Sequence, residues 1–412
     1  MRQVDAAIIG GGPAGLAAAI RLYEQGITNI LIFEREKNPG GILRQCIHDG
    51  FGLRRFGETL SGPEYAARFV ERARELQIPC LTDTTVLNIT PDKTIYASSA
   101  GSYIVVKAKA IILAMGCRER TRGAISIPGE RPAGIYTAGV AQSYINLHNK
   151  MVGREVVILG SGDIGMIMSR RLTLEGAHVI GVFEVMPYPS GLPRNIVQCL
   201  DDYGIPLQLS HSVTDIKGRD RLESVTISEI GPNGQPIPGT EVEYPCDTLI
   251  LSVGLIPENE LSLAAGVTLD NGTKGAVVDN YYQTSVEGIF AAGNVLHVHD
   301  LVDFVSLEAE ALADSAARYL KEGPLPEAAL EVIPDNLSGA IIPQKFSPTD
   351  DFTLYLRVRR PLGKCEIRLQ QGEEIVARRR LPKALPAEMI QIPVKAARLC
   401  ADQNLEVKVI CQ

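Results

Sequence analysis

The chain has 412 residues, 45% of them hydrophobic and 22% charged, which suits a globular protein of two or three domains. Its net charge of −7 excludes the basic footprint of a nucleic-acid binder and disfavours anionic lipid surfaces. No apolar run approaches the roughly 18 residues that span a bilayer. The eight cysteines include no C-x-x-C or C-x4-C pair, which removes an obvious zinc, iron–sulfur or dithiol centre.

Arg2 and Asp5 run straight into an apolar strand at residues 6–9 without the marks of a secretory leader, so a cytoplasmic setting with reduced thiols is expected. That strand enters Gly10-Gly11-Gly12-Pro13-Ala14-Gly15, then a helix of small residues, then a second strand at 29–33 that ends at Glu34. Gly10 allows the tight turn, Gly12 lets backbone approach a pyrophosphate, and Gly15 lets helix and strand pack closely. Pro13 and Ala14 open the helix, whose N-terminus presents free N–H groups and partial positive charge to phosphates. Glu34 follows Gly15 by 19 residues, where a carboxylate can accept from an adenosine ribose.

A stretch of short strands comes next, at about residues 84–107, with turns at Pro91-Asp92 and Ala100-Gly101. An apolar strand closes it and ends at Ala114-Met115-Gly116. The whole pattern then recurs. Residues 156–159 lead into Gly160-Ser161-Gly162-Asp163-Ile164-Gly165, a helix to about residue 174, a strand at 179–183 and Glu184. Gly10 to Glu34 and Gly160 to Glu184 are both 24 residues, as in a duplicated unit. Glu184 without an adjacent arginine suits a free ribose 2′-hydroxyl and repels a 2′-phosphate, so NAD(H) is expected there in preference to NADP(H). The second meander, about residues 222–244, closes on an apolar strand ending at Val253-Gly254.

Residues 288–294 form one more apolar strand, ending at Gly293-Asn294, and a small-residue helix follows at about 304–319. The second unit is already complete, so this strand is expected to return to the first sheet. The first domain is then discontinuous, at residues 1–120 and 270–322, with the second inserted at 121–269. Beyond 323, prolines mark a linker and short strands read as a small β domain to 412. The expected fold class is α/β: two Rossmann-like, three-layer ββα nucleotide-binding domains with a small C-terminal β domain.

These motifs, with Ile127-Pro128-Gly129-Glu130 and Val253-Gly254 before Pro257, resemble the thioredoxin-reductase-like branch of the pyridine-nucleotide flavoproteins over about residues 1–322. The resemblance implies FAD at the first site, held by Gly10, Gly12, Pro13, Ala14, Gly15, Glu34, Arg35, Gly41, Val86, Ala114, Gly116, Gly293, Asn294, Leu301 and Val302. It implies NAD at the second, held by Gly160, Gly162, Asp163, Ile164, Gly165, Glu184 and Gly254. The family usually has Gly-Asp where this chain has Gly293-Asn294, and Asn294 can still hydrogen-bond a ribityl hydroxyl. The helix starting near Leu301-Val302 would aim its N-terminus at the flavin pyrimidine.

The chain departs from the disulfide reductases of that family. The loop after Gly40-Gly41 holds the single Cys46, and there is no cysteine around Gly139–Gln142. Disulfide reduction, which needs two sulfurs, is not expected. Residues 40–57, Ser61-Gly62-Pro63-Glu64-Tyr65, Glu184–Tyr188 and Arg194-Asn195 resemble subunits that accompany glycerol-3-phosphate dehydrogenase-like flavoproteins and serve heteromeric opine, hydroxyproline and cyanide-forming dehydrogenases. The resemblance implies electron transfer between NAD(H) and a partner flavoprotein, with a further partner in a small cysteine-rich subunit. Two alternatives stay open: a stand-alone NADH oxidase or peroxidase using Cys46, and a non-catalytic subunit that holds FAD for assembly. Cys46 is either a redox thiol or a small buried hydrophobe. His48 is either a proton relay or a structural loop residue. His297-x-His299 hints at a metal, but no third ligand is evident and none is expected to bind.

Overall fold

The computed structural model describes residues 2–411. The chain parts into two compact units: Met1–Cys117 with Pro257–Gln412, and Arg118–Ile256.

In the first unit, strands Arg2–Ile9, Ile30–Phe33 and Ser102–Leu113 pair in parallel. Residues 6–9, 30–33 and 110–113 of these strands are apolar and buried on both faces, as a sheet covered on both sides requires. Strand Ile289–Ala291 pairs in parallel with Ser102–Leu113, so the late strand returns to the first sheet as the sequence suggests. One face is covered by helices Pro13–Glu24 and Val302–Glu322, whose alanines let backbones pack close to Ile8, Ile32 and Ile112. The other face is covered by the antiparallel meander of Thr84–Ile89, Thr94–Ser99 and the long strand Ser102–Leu113.

The first unit resumes at Pro257, earlier than the expected residue 270. The reason lies in packing. Ala265, Val267, Ala276 and Val278 join the core of Ile111, Leu113 and Ile289. Asn259 Nδ2 donates to the carbonyls of Lys274 and Val295, each at 3.0 Å.

The tail also lies within the first unit. Its strands form a five-stranded and a three-stranded sheet around one core that includes Phe346, Leu354, Leu356, Ile367, Leu369 and Leu405. It is tied to the rest of the unit by polar contacts. Val278 N donates to Gln344 (2.9 Å), Ser347 N to Asn280 (2.9 Å), and Tyr281 Oη to Asp350 (2.5 Å). Arg357 donates to Val298 O at 3.0 Å and reaches Asp300 at 3.3 Å.

The second unit has a five-stranded parallel sheet built on Glu155–Leu159, His178–Glu184 and Thr248–Leu251. Helices Ala138–His148 and Asp163–Leu174 share a core with one of its faces. A three-stranded antiparallel sheet, His211–Lys217, Ser224–Glu229 and Val242–Pro245, shares a core with the other. Each unit is therefore a ββα sandwich around a parallel sheet. No helix among the described residues is long and apolar enough to cross a membrane.

Candidate functional site: two glycine cradles

In the first unit the turn leaving strand Arg2–Ile9 is forced to be glycine. Gly10 has φ +110°, and a Cβ there would lie 2.4 Å from the Ala114 carbonyl oxygen. A Cβ on Gly15 would lie 1.9 Å from the Gly10 carbonyl oxygen, so the helix can sit this close to the strand only without side chains. Gly12 caps helix Pro13–Glu24 with no side-chain bond, and Pro13 fills the first turn. The remaining N–H groups of that turn are thus free to face an anion. Gly41 stands over Gly12, and a Cβ on Gly293 would lie 3.0 Å from that of Ala14. Residues 10–15, 41, 114 and 293, scattered in sequence, therefore meet around one helix N-terminus. Gly116 has φ +73° and open space on its Cβ side.

Glu34 is buried and bound by backbone: Oε2 accepts Gly11 N and Oε1 accepts Glu36 N, both at 2.8 Å. Its carboxylate is thereby held beside the turn that would carry the pyrophosphate. Arg35 is exposed, and Val86 is half-buried on the meander. Asn294 Oδ1 accepts His299 N at 3.1 Å, and Asn294 Nδ2 reaches Cys117 Sγ at 3.6 Å.

Leu301 precedes the long helix and Val302 begins it, with no side-chain cap. Asp303 in its first turn is buried and accepts three backbone N–H groups, from Gly52, Arg54 and Arg55, at 2.8–3.0 Å. The helix end expected to face the flavin thus also anchors the loop that follows Cys46. This partner role for Asp303 was not read from the sequence.

Cys46 ends the short turn Gly41–Gln45 and packs against Gly62, whose Cβ would lie 2.8 Å from its own. Its thiol donates to Ile42 O at 3.4 Å, and burial pushes its pKa up to about 12. A group so shifted is not a thiolate at neutral pH. His48 packs on Phe51 at 4.9 Å between ring centroids, with Nδ1 3.0 Å from Asp49 O.

The second unit repeats the main backbone contacts of the first. Gly160 has φ +96°, and its Cβ would lie 2.1 Å from Ser252 O. Gly162 caps helix Asp163–Leu174, and a Cβ on Gly165 would lie 2.7 Å from Gly160 O. Glu184 accepts Ser161 N (2.9 Å) and Met186 N (3.0 Å), the counterparts of Gly11 and Glu36. It adds the hydroxyls of Ser161 (2.6 Å) and Ser190 (3.0 Å), which sequence spacing did not reveal. Asp163 turns its carboxylate to Leu192 N (2.8 Å) and Asn195 Nδ2 (2.6 Å), so it fastens the loop after Glu184 to the helix start. Ile164 is half-buried beside it. Gly254, at φ +104°, has only the Arg120 side chain near its Cβ position, at 3.7 Å.

Each cradle fits a dinucleotide: two glycines that no larger residue can replace, a helix start without a side-chain cap and a buried acid next to the turn. Two such cradles in one chain define a two-nucleotide redox protein. Residues 4–315, well over half of the chain, match the family model described as pyridine nucleotide-disulphide oxidoreductase, and the chain belongs to that family. It is an FAD- and pyridine-nucleotide-dependent oxidoreductase.

Among curated relatives, hydrogen cyanide synthase subunit HcnB of Pseudomonas protegens is 25% identical over 317 residues, 71% of this chain and 66% of its own length. An opine oxidase subunit of Agrobacterium tumefaciens is 26% identical over 312 residues, 70% of this chain and 61% of its own length. The chain thus spans slightly under two thirds of these relatives. Among solved structures, thioredoxin reductase of T. acidophilum aligns with a TM-score of 0.63 at 23% identity, over 77% of this chain and 98% of that one, a likeness of fold.

Proposed function

We propose that this chain is the nicotinamide-side electron-transfer subunit of a heteromeric dehydrogenase of the glycerol-3-phosphate type. FAD occupies the first cradle and NAD(H), in preference to NADP(H), the second. A partner flavoprotein oxidises the substrate, and a small cysteine-rich subunit is a further partner. The observation that carries this reading is the pairing of two complete cradles with a single, half-buried cysteine, Cys46, in the loop after Gly40-Gly41, where a redox dithiol would need two. Bound FAD supplies hydride acceptance and onward electron release. The protein supplies orientation: backbone donors for two pyrophosphates, and acids for two riboses. HcnB and its opine oxidase counterpart are both subunits, which supports a partnered role.

Two rapid-mixing experiments test this. NADH is expected to bleach the flavin band anaerobically, with NADPH at least about tenfold slower, the ratio that corresponds to about 1.4 kcal/mol. Failure of both to bleach it would leave only an assembly role. Addition of a glycerol-3-phosphate-oxidising partner is expected to give substrate-dependent NAD reduction that neither protein gives alone.

A further inference from the structure

The long helix Val302–Glu322 carries a carboxylate on its apolar face. Glu308 is 1% exposed and lies in register with Val305, Leu312 and Ala313. Two histidines of the preceding loop converge on it. His297 Nε2 lies 2.7 Å from Glu308 Oε2, and His299 Nε2 lies 3.4 Å from the same atom. The other carboxylate oxygen accepts Gly293 N at 2.8 Å. One ligand atom from each of the three residues lies within 4.8 Å of the others. Glu308 is the third candidate ligand that sequence spacing did not disclose.

Asn294 Oδ1 already accepts His299 N, so it is an acceptor, and His299 Nδ1 lies 3.3 Å from it. That nitrogen therefore carries the proton, and Nε2 presents a lone pair. This Nε2 has no hydrogen-bond partner, and the side chain is 3% exposed. A lone pair and a buried carboxylate oxygen thus face each other, an arrangement that a bridging cation makes favourable. A proton would draw the two atoms to about 2.7–2.9 Å. Around an ion with bonds of about 2.0–2.1 Å, tetrahedral ligands stand about 3.3 Å apart, close to the observed spacing. The Nδ1 contact to Asn294 is the kind of outer partner that fixes a ligating imidazole.

We propose that His297, His299 and Glu308 bind one divalent first-row cation of the zinc class, which neutralises the buried carboxylate and ties the loop of residues 294–300 to the long helix. His297 Nε2 shares a proton with Glu308 in a 2.7 Å hydrogen bond, which the ion displaces on binding; both Nε2 atoms and a Glu308 oxygen are then the ligands, and a water completes the shell.

The test uses the full chain, made without a polyhistidine tag, stripped with a chelator and titrated with Zn(II). About one equivalent is expected by elemental analysis, with a rise in Tm on loading. Co(II) in the same site should show the intense visible bands of a four-coordinate ion. His299→Ala and Glu308→Gln should each weaken Zn(II) binding by about a hundredfold, at or beyond the upper end of what loss of an outer-shell partner costs. His178→Ala, which removes an exposed imidazole paired with Glu155, should leave it unchanged. Two results would overturn the site: zinc retained at full strength in His299→Ala, or a wild-type chain that takes up no zinc and shows a doubly protonated His299 ring by NMR. If Glu308→Gln fails to fold, the Co(II) spectrum of the wild-type chain still decides.

Discussion

One methyl group can separate the two cradles. Alanine at Gly160 would place its Cβ 2.1 Å from Ser252 O at a φ of +96°. Overpacking and left-handed strain together cost about 1–3 kcal/mol or more. Gly160→Ala should therefore raise the NADH concentration for half-maximal flavin reduction about tenfold or more. The visible flavin spectrum should stay unchanged, because the first cradle is untouched; a titration followed at the flavin band checks both. Cys46 gives the opposite expectation. With its thiol raised to about 12 by burial, it holds no thiolate to lose. Cys46→Ser should leave NADH-driven electron transfer within about twofold of the parent, and a collapse of peroxide-dependent turnover would instead restore the oxidase reading.

At the scale of elements, the parallel strands and both glycine turns were legible because their signals are local: an apolar run, a turn that only glycine permits, and an acid at fixed spacing. The long helix was legible from its small-residue face. Strand His211–Lys217 was not. A bulge between Val213 and Asp215 puts Val213 and Ile216, three apart, in the same core and so breaks the period of two. Strand Ile390–Val394 was masked by Pro393, which is tolerated because this strand lies at the end of its sheet. Asp303 was invisible because its partners come from a loop 248–251 residues earlier, and Glu308 because its histidines sit on an irregular turn whose spacing to the helix has no fixed period. The junction of the tail shows a similar long-range effect. Burial raises the Asp279 carboxyl to about 7, although it accepts Tyr281 N and Gln283 N, both at 2.9 Å. The folded chain then holds a proton that the unfolded chain releases above about pH 4. That contribution to stability is full below about pH 4, declines as pH rises towards 7 and is absent above it. Asp279→Asn keeps an acceptor without the charge. Its stability relative to the parent should rise between pH 4 and 7 and level off beyond, as read from urea midpoints at pH 5 and 8.

At the scale of the molecule, the second nucleotide unit is one uninterrupted segment, Arg118–Ile256, whereas the first is assembled from both ends of the chain. The inserted segment has its own parallel sheet and its own cores on both faces of that sheet. The cradle residues Gly160, Gly165, Glu184, Ser190 and Ser252 all lie inside it. Such a segment should fold and bind as a cooperative unit of its own. Gly10→Ala, whose Cβ would lie 2.4 Å from Ala114 O, offers the test, because it damages only the first cradle. The variant should emerge depleted of flavin yet bind NADH, by fluorescence titration, within about threefold of the parent, a difference under about 1 kcal/mol. Hydrogen exchange should agree. Amides of strands Glu155–Leu159 and Thr248–Leu251 should keep their protection while those of strand Arg2–Ile9 lose some. Equal loss in both sheets would mean that the two units unfold together, and the inserted segment would then be no separate binding module.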